Sequence, residues 1–304
     1  MTAHRLASAV AALAVVLITA SANAQVPSTR MGLTTSPAWL AQHLHDPDLV
    51  LLHIGDKAEY DKAHIPGARF VEMKDFSASS MDHDHGLMLE LLSSDSLRTQ
   101  LSKLGISDNS HIIAYYGNDW VSPTTRLILT LDYAGLSSHT ALLDGGMQAW
   151  IAEGHDVTTE APPMRVGKLS PLKTHPVVVD INFVQAHLAS RGYKVVDGRA
   201  SVFYDGVQVG SVRAGHIPGA KSIPYTSIVD DHNKLKSPDE LNALFRQAGI
   251  GAKDTVIAYC HIGQQATAVV FAARTLGRPV YLFDGSFQEW GRRLDLPVEM
   301  PAKK

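Results

Sequence analysis

Short apolar runs alternate along this chain with longer stretches of helical pattern. Leu49 to Leu52, His111-Ile112-Ile113-Ala114-Tyr115 and Thr255-Val256-Ile257-Ala258-Tyr259 are brief, apolar and carry β-branched residues, which predicts buried strands. Ser36-Pro37-Ala38-Trp39-Leu40 predicts a helix start, with serine as N-cap and proline in the first turn. Leu241 to Phe245 and Ala266 to Leu276 predict further helices. Strands alternating with helices favour an α/β fold: an open, mainly parallel sheet with helices on both faces. Such sheets bind ligands at the carboxyl ends of their strands.

The pattern occurs twice. Ala63-His64-Ile65-Pro66-Gly67-Ala68 returns as Gly215-His216-Ile217-Pro218-Gly219-Ala220. The strand ending in Tyr115 parallels the one ending in Tyr259, and Leu104-Gly105-Ile106 parallels Ala248-Gly249-Ile250. Asp144-Gly145-Gly146-Met147-Gln148-Ala149-Trp150 parallels Asp284-Gly285-Ser286-Phe287-Gln288-Glu289-Trp290. Matched landmarks in one order, at a spacing too long for a solenoid, predict two copies of one domain. The proline- and glycine-containing segment from Thr158 to Pro171 reads as the linker between them. The copies differ where chemistry would sit: Tyr116 aligns with Cys260, and Gly55 with Arg199. Chemistry is therefore expected in the second copy only.

Composition adds exclusions. A hydrophobic content of 45% and a formal net charge of -3 describe an ordinary globular chain with no basic signature for nucleic acid or an anionic membrane. The N-terminus reads differently: His4 and Arg5, an apolar run from Leu6 to Ala20, then Ala22-Asn23-Ala24. This predicts a cleavable signal peptide over 1–24, a mature N-terminus at Gln25, a periplasmic location and no stable membrane association after cleavage. The expected organisation is then a first domain over 25–157, the linker 158–171 and the active copy over 172–304.

Cys260 is the single cysteine, so it cannot form an internal disulfide. It ends a predicted strand and precedes a short glycine-containing loop and a helix. Unpaired amides and the positive end of the helix dipole favour an anion there, such as a thiolate or a persulfide. The alternative is a small buried core residue. The functional reading requires the sulfur to be reachable.

These residues resemble the rhodanese superfamily. The resemblance rests on the two His-Ile-Pro-Gly-Ala elements, the Asp197-Gly198-Arg199 strand end, the Cys260 loop and the Asp-Gly element ending in tryptophan in both copies. It implies two tandem rhodanese-like domains, in an arrangement that resembles thiosulfate and mercaptopyruvate sulfurtransferases, with an inactive first domain. It also implies a six-residue active loop, Cys260 to Gln265, whose amides cradle sulfur, and an arginine at Arg199 that helps hold the anionic substrate. Thiosulfate enzymes often follow the cysteine with cationic residues, and mercaptopyruvate enzymes with small and hydroxyl ones. His261, Ile262, Gly263, Gln264 and Gln265 match neither habit.

The expected mechanism is a double displacement. Cys260 takes a sulfane sulfur from a small anionic donor such as thiosulfate, then yields it to a thiophilic acceptor such as cyanide or a thiol. No metal or organic cofactor is required. Arg199 is the expected counter-charge for the donor, or else an ion pair holding the loop, and its loss is expected to weaken donor use with the fold intact. His261 is a candidate charge near neutral pH or else a ring pointing to solvent, while Gln264 and Gln265 shape the loop and offer hydrogen bonds. Arg213, His64 and His216 are read as structural. Asp82, His83, Asp84 and His85 form a candidate metal cluster for which a solvated loop is the favoured reading. A cysteine phosphatase is disfavoured because Ala266 stands where its phosphate-gripping arginine is needed. A disulfide oxidoreductase lacks its second cysteine. A sulfur carrier without turnover remains an open alternative.

Overall fold

The computed structural model describes residues 32–80, 82, 86–117, 121–210 and 212–300. The signal-peptide expectation, Gln25, and three members of the Asp82–His85 cluster, His83, Asp84 and His85, lie outside the described residues.

In chain order the first half forms β1 (Thr34–Thr35), α1 (Pro37–His43), β2 (Leu49–Ile54), α2 (Lys57–Lys62), β3 (Arg69–Val71), β4 (Ser77–Ala78), β5 (Glu90–Leu91), α3 (Ser94–Lys103), β6 (His111–Tyr116), α4 (Ser122–Tyr133), β7 (Thr140–Leu143) and α5 (Gly146–Ala152). The second half forms β8 (Val178–Val179), α6 (Ile181–His187), β9 (Tyr193–Asp197), α7 (Ser201–Tyr204), β10 (Lys221–Ser222), α8 (Pro238–Gln247), β11 (Thr255–Tyr259), α9 (Ala266–Thr275), β12 (Val280–Phe283) and α10 (Ser286–Arg292). Each half builds a five-stranded sheet, in the orders β1-β7-β6-β2-β3 and β10-β9-β11-β12-β8. Every pairing in both sheets is parallel. The tandem α/β architecture expected from the sequence is the one observed.

Alternation along the strands explains the layering, because successive side chains leave opposite faces of a sheet. Leu51, Ile113 and Tyr115 pack with Leu40, Tyr60 and Trp150 on the outer face of the first sheet. Val195, Ile257 and Tyr259 do the same with Ile181, Phe287 and Trp290 in the second. The alternate residues, Val50, Leu52, Ile112 and Ala114 with Val196, Val256 and Ala258, belong to one core that spans both domains. Helices α4 and α9 meet in that shared core. Thr125 and Thr267 hydrogen-bond across them at 2.8 Å, and Arg274 pairs with Asp132 at 2.5 Å.

The domains also exchange loops in matching fashion. The Leu91 N–H donates to the Asp284 carboxylate of the second domain, and the Leu235 N–H donates to Asp144 of the first. Two residues earlier in each loop, Leu89 and Asn233 hold left-handed backbone, at φ 59° and 58°. Thr158 pairs with His64 as a β-bridge, Gly167 bonds to Ser102 and Ser170 to Asp108. The 158–171 segment is therefore laid along the first domain and is not a free tether.

Candidate active site

Cys260 follows the last residue of β11, and the loop to α9 runs from His261 to Gln265. Five of the six carbonyls from Cys260 to Gln265 have partners among the described residues, Ile262 O being the exception. Cys260 O accepts from Phe287 N at 3.0 Å and His261 O from Gln288 N at 2.9 Å. Gly263 O accepts from Arg126 Nη1 at 3.1 Å. Gln264 O accepts from the Thr267 hydroxyl at 2.6 Å, and Gln265 O from Ala268 N at 3.1 Å. In a planar trans peptide the N–H points opposite to the C=O. Anchoring these carbonyls outward therefore turns the following amides away from the anchors. Among the described residues no acceptor is found for the N–H groups of residues 261–266. Unpaired amides at the start of a helix constitute an anion site, reinforced by the dipole of α9.

The cysteine's own N–H is used differently: it donates to Ser286 Oγ at 3.1 Å, and that hydroxyl donates to Phe283 O at 2.9 Å. Ser286 holds left-handed backbone at φ 51°, a strained conformation for a residue with a side chain. In the first copy Gly146 takes the same conformation, and a Cβ there would lie 2.7 Å from the Tyr116 ring. Where the first copy has a large residue beside glycine, the second has a small nucleophile beside serine. The signal was visible in the aligned Asp-Gly elements, although its meaning was not. Replacing Ser286 by alanine keeps the strain and orphans a buried N–H, an expected loss of about 1–3 kcal/mol, measured by denaturant unfolding. Ser286→Gly, which relieves the strain, should cost less.

Arg199 is buried, and its bonds are largely committed. Nε donates to Asp197 Oδ1 at 3.0 Å, and Nη2 to Asp197 Oδ2 at 2.6 Å and to Gly215 O at 2.7 Å. The guanidinium also lies 4.2 Å from the Phe287 ring centroid. Asp197 further accepts from the Tyr259 hydroxyl at 2.6 Å, which in turn accepts from Ile217 N in the second His-Ile-Pro-Gly-Ala turn. The expectation that loss of Arg199 leaves the fold intact is corrected here, because its removal would strand a buried carboxylate.

His261 stands edge-on to Phe203, with ring centroids 4.6 Å apart. Burial first, and the charge of Arg199 second, hold its pKa down at about 4. That shift favours the neutral ring near neutral pH, against the charged one of the two readings of this residue. Ile262 is partly exposed, Gly263 turns the loop at φ 78°, and the Gln264 amide donates to Ser122 Oγ in the first domain at 3.3 Å. The Gln265 side chain lies at Tyr225. Arg213 Nη2 donates to the carbonyls of Trp290, Arg293 and Leu296, holding the end of α10. His64 and His216 stack on Tyr60 and Tyr204 and bond to the carbonyls of those same tyrosines.

Two features run against the functional expectation or lie outside it, the first being the burial of the thiol named above as the alternative. Cys260 has no exposed surface, whereas the functional reading requires a reachable sulfur. The thiol lies on the inner sheet face, in the core shared by the domains. The 203–210 segment presses on the loop, so that a Cβ on Gly210 would sit 2.2 Å from His261 Cε1. The second is Arg126, a fully buried residue of the first domain that bonds to Gly263 O, Leu89 O and the Asp284 carboxylate. No motif in its own stretch marks it.

Comparison with known proteins gives a consistent picture. A family model described as rhodanese-like domain matches residues 36–153 and again 181–293. The chain is 30% identical over 280 residues to the sulfur carrier protein TtuD of Thermus thermophilus, covering 86% of this chain and 95% of that protein. It is 30% identical over 281 residues to 3-mercaptopyruvate sulfurtransferase of Escherichia coli, covering 87% and 96%. Thiosulfate sulfurtransferase of Mus musculus is 31% identical over 248 residues, covering 78% of this chain and 80% of its own.

Proposed function

The chain belongs to the rhodanese family, and on that premise we propose that it transfers sulfane sulfur through a persulfide on Cys260, with thiosulfate as donor. The observation that carries this reading is the row of amides at residues 261–266, with no acceptor among the described residues, that follows the single cysteine directly in the loop to α9. In the first step the Cys260 thiolate attacks the outer sulfur of thiosulfate. The new S–S bond forms as the old one breaks, and sulfite leaves with the bonding electron pair. The protein then carries Cys–S–S⁻, whose charge the loop amides stabilise. In the second step cyanide or a thiolate attacks the outer sulfur, and the Cys260 thiolate departs. Charge balances in both steps, and each is easier than direct transfer between two anions in water.

The committed bonds of Arg199 support a double role, holding the strand end through Asp197 while placing positive charge beside His261. Because the sulfur has no exposed surface, donor entry requires the loop or its surroundings to open. The test is mass spectrometry of protein treated with thiosulfate or with 3-mercaptopyruvate, followed by steady-state thiocyanate formation from cyanide. One added sulfur on Cys260 and sustained turnover are expected with at least one of the two donors. No added sulfur with either donor overturns the reading. A carrier function would appear as a persulfide that forms without sustained turnover.

A further inference from the structure

We propose that Arg126, which belongs to the domain without a nucleophile, is a positioning residue for the sulfur-binding loop of the other domain. This rests on the reading of Cys260 as the sulfur acceptor. The argument is stereochemical. Arg126 Nη1 donates to Gly263 O at 3.1 Å, and the guanidinium also bonds the Asp284 carboxylate and Leu89 O. With Gly263 O drawn toward the domain interface, the N–H of Gln264, on the same planar peptide, is turned the other way. The peptide after it is anchored from within the second domain by Thr267 at Gln264 O, and the nearest anchored carbonyl before it is His261 O, held by Gln288 N. The peptide between Gly263 and Gln264 has its anchor in Arg126.

The contact is too close for adjustment. A Cβ on Gly263 would meet Asp284 O and Oδ1 at 2.8 Å and Arg126 Nη1 at 3.1 Å. The loop backbone therefore bears directly on the guanidinium–carboxylate pair. Arg126 is fully buried, and its charge is matched by Asp284, so it is not a counter-charge for the donor. Its own position is set in turn by the first domain: α4 carries it, and the left-handed turn at Leu89 presents a carbonyl to its other terminal nitrogen. The inactive domain thus supplies part of the frame that aims the loop amides at sulfur.

A misaimed amide weakens transition-state stabilisation more than donor binding, so the effect belongs in kcat. Arg126→Gln should lower kcat for thiosulfate-to-cyanide transfer by about tenfold to a hundredfold, with KM for thiosulfate changed by less than about threefold. Arg274→Gln provides the comparison. It removes the ion pair to Asp132 between the same two helices without touching the loop, and should lower thermal stability while leaving kcat near that of the unaltered protein. Arg126→Lys keeps a charge opposite Asp284 but cannot make all the bonds. It should recover part of the loss, and it carries the test if the glutamine variant does not fold. A folded Arg126 variant with unchanged kcat, or an equal kcat loss in Arg274→Gln, overturns the proposal. Absence of persulfide in the unaltered protein would instead overturn the reading of Cys260, so the two failures are separable.

Discussion

Replacing Cys260 by serine abolishes sulfur transfer from thiosulfate and from 3-mercaptopyruvate alike. The substitution is nearly isosteric, and the bond from the backbone N–H of residue 260 to Ser286 is kept, so the fold should persist. What is lost is the chemistry. A serine hydroxyl is not ionised at neutral pH and forms no persulfide. No second cysteine exists to take over. Removal of a nucleophile in covalent catalysis costs on the order of ten-thousand-fold or more in rate, which places the variant below detection in a thiocyanate assay. Mass spectrometry of the donor-treated variant should show no added sulfur, while its thermal midpoint stays close to that of the unaltered protein. Residual transfer above about one per cent would mean that sulfur moves by a route that avoids this residue.

Arg199→Ala should damage the fold before it reveals anything about the donor. Arg199 and Asp197 are both enclosed, and the carboxylate takes bonds from Nε, Nη2 and the Tyr259 hydroxyl. Deleting one member of a buried pair leaves the other charge uncompensated, at an expected cost of about 3–5 kcal/mol. The guanidinium also leaves the face of Phe287, where it packs 4.2 Å from the ring centroid. Guanidinium chloride unfolding measures the loss, and a value under about 1 kcal/mol would sink the account. The double variant Asp197→Ala with Arg199→Ala should regain part of that loss, since it removes both charges together. A fall in activity for Arg199→Ala alone, without the stability measurement, does not separate donor binding from collapse of the strand end.

The sequence carried the fold because the strands are short, apolar and repeated. The alternation in Leu49–Ile54 and Thr255–Tyr259 distributes side chains between two faces, and each copy is recognisable from the other. The position of Cys260 at a strand end was legible for the same reason. What stayed hidden depends on how the two copies dock. Arg126 lies on an unremarkable helical stretch, and its importance comes from Gly263 and Asp284, more than a hundred residues away. The enclosure of Cys260 follows from its lying in the core shared by both domains, which no local pattern encodes. The charge state of His261 also required tertiary knowledge. A histidine beside a cysteine suggests a cation, but burial and the nearby Arg199 keep the ring neutral. The Arg199–Asp197 pair was spelled out two residues apart, yet a sequence does not say whether such neighbours face each other.

The pairs Tyr116 with Gly146 and Cys260 with Ser286 lock the two positions of each copy together. The tyrosine ring fits only where glycine leaves room, since any Cβ at residue 146 would press against it. A small side chain at 116 alone would leave a hole the size of an aromatic side chain, and serine at 146 alone would collide with the ring. Building a second thiol site in the first copy therefore takes two substitutions, each disfavoured on its own.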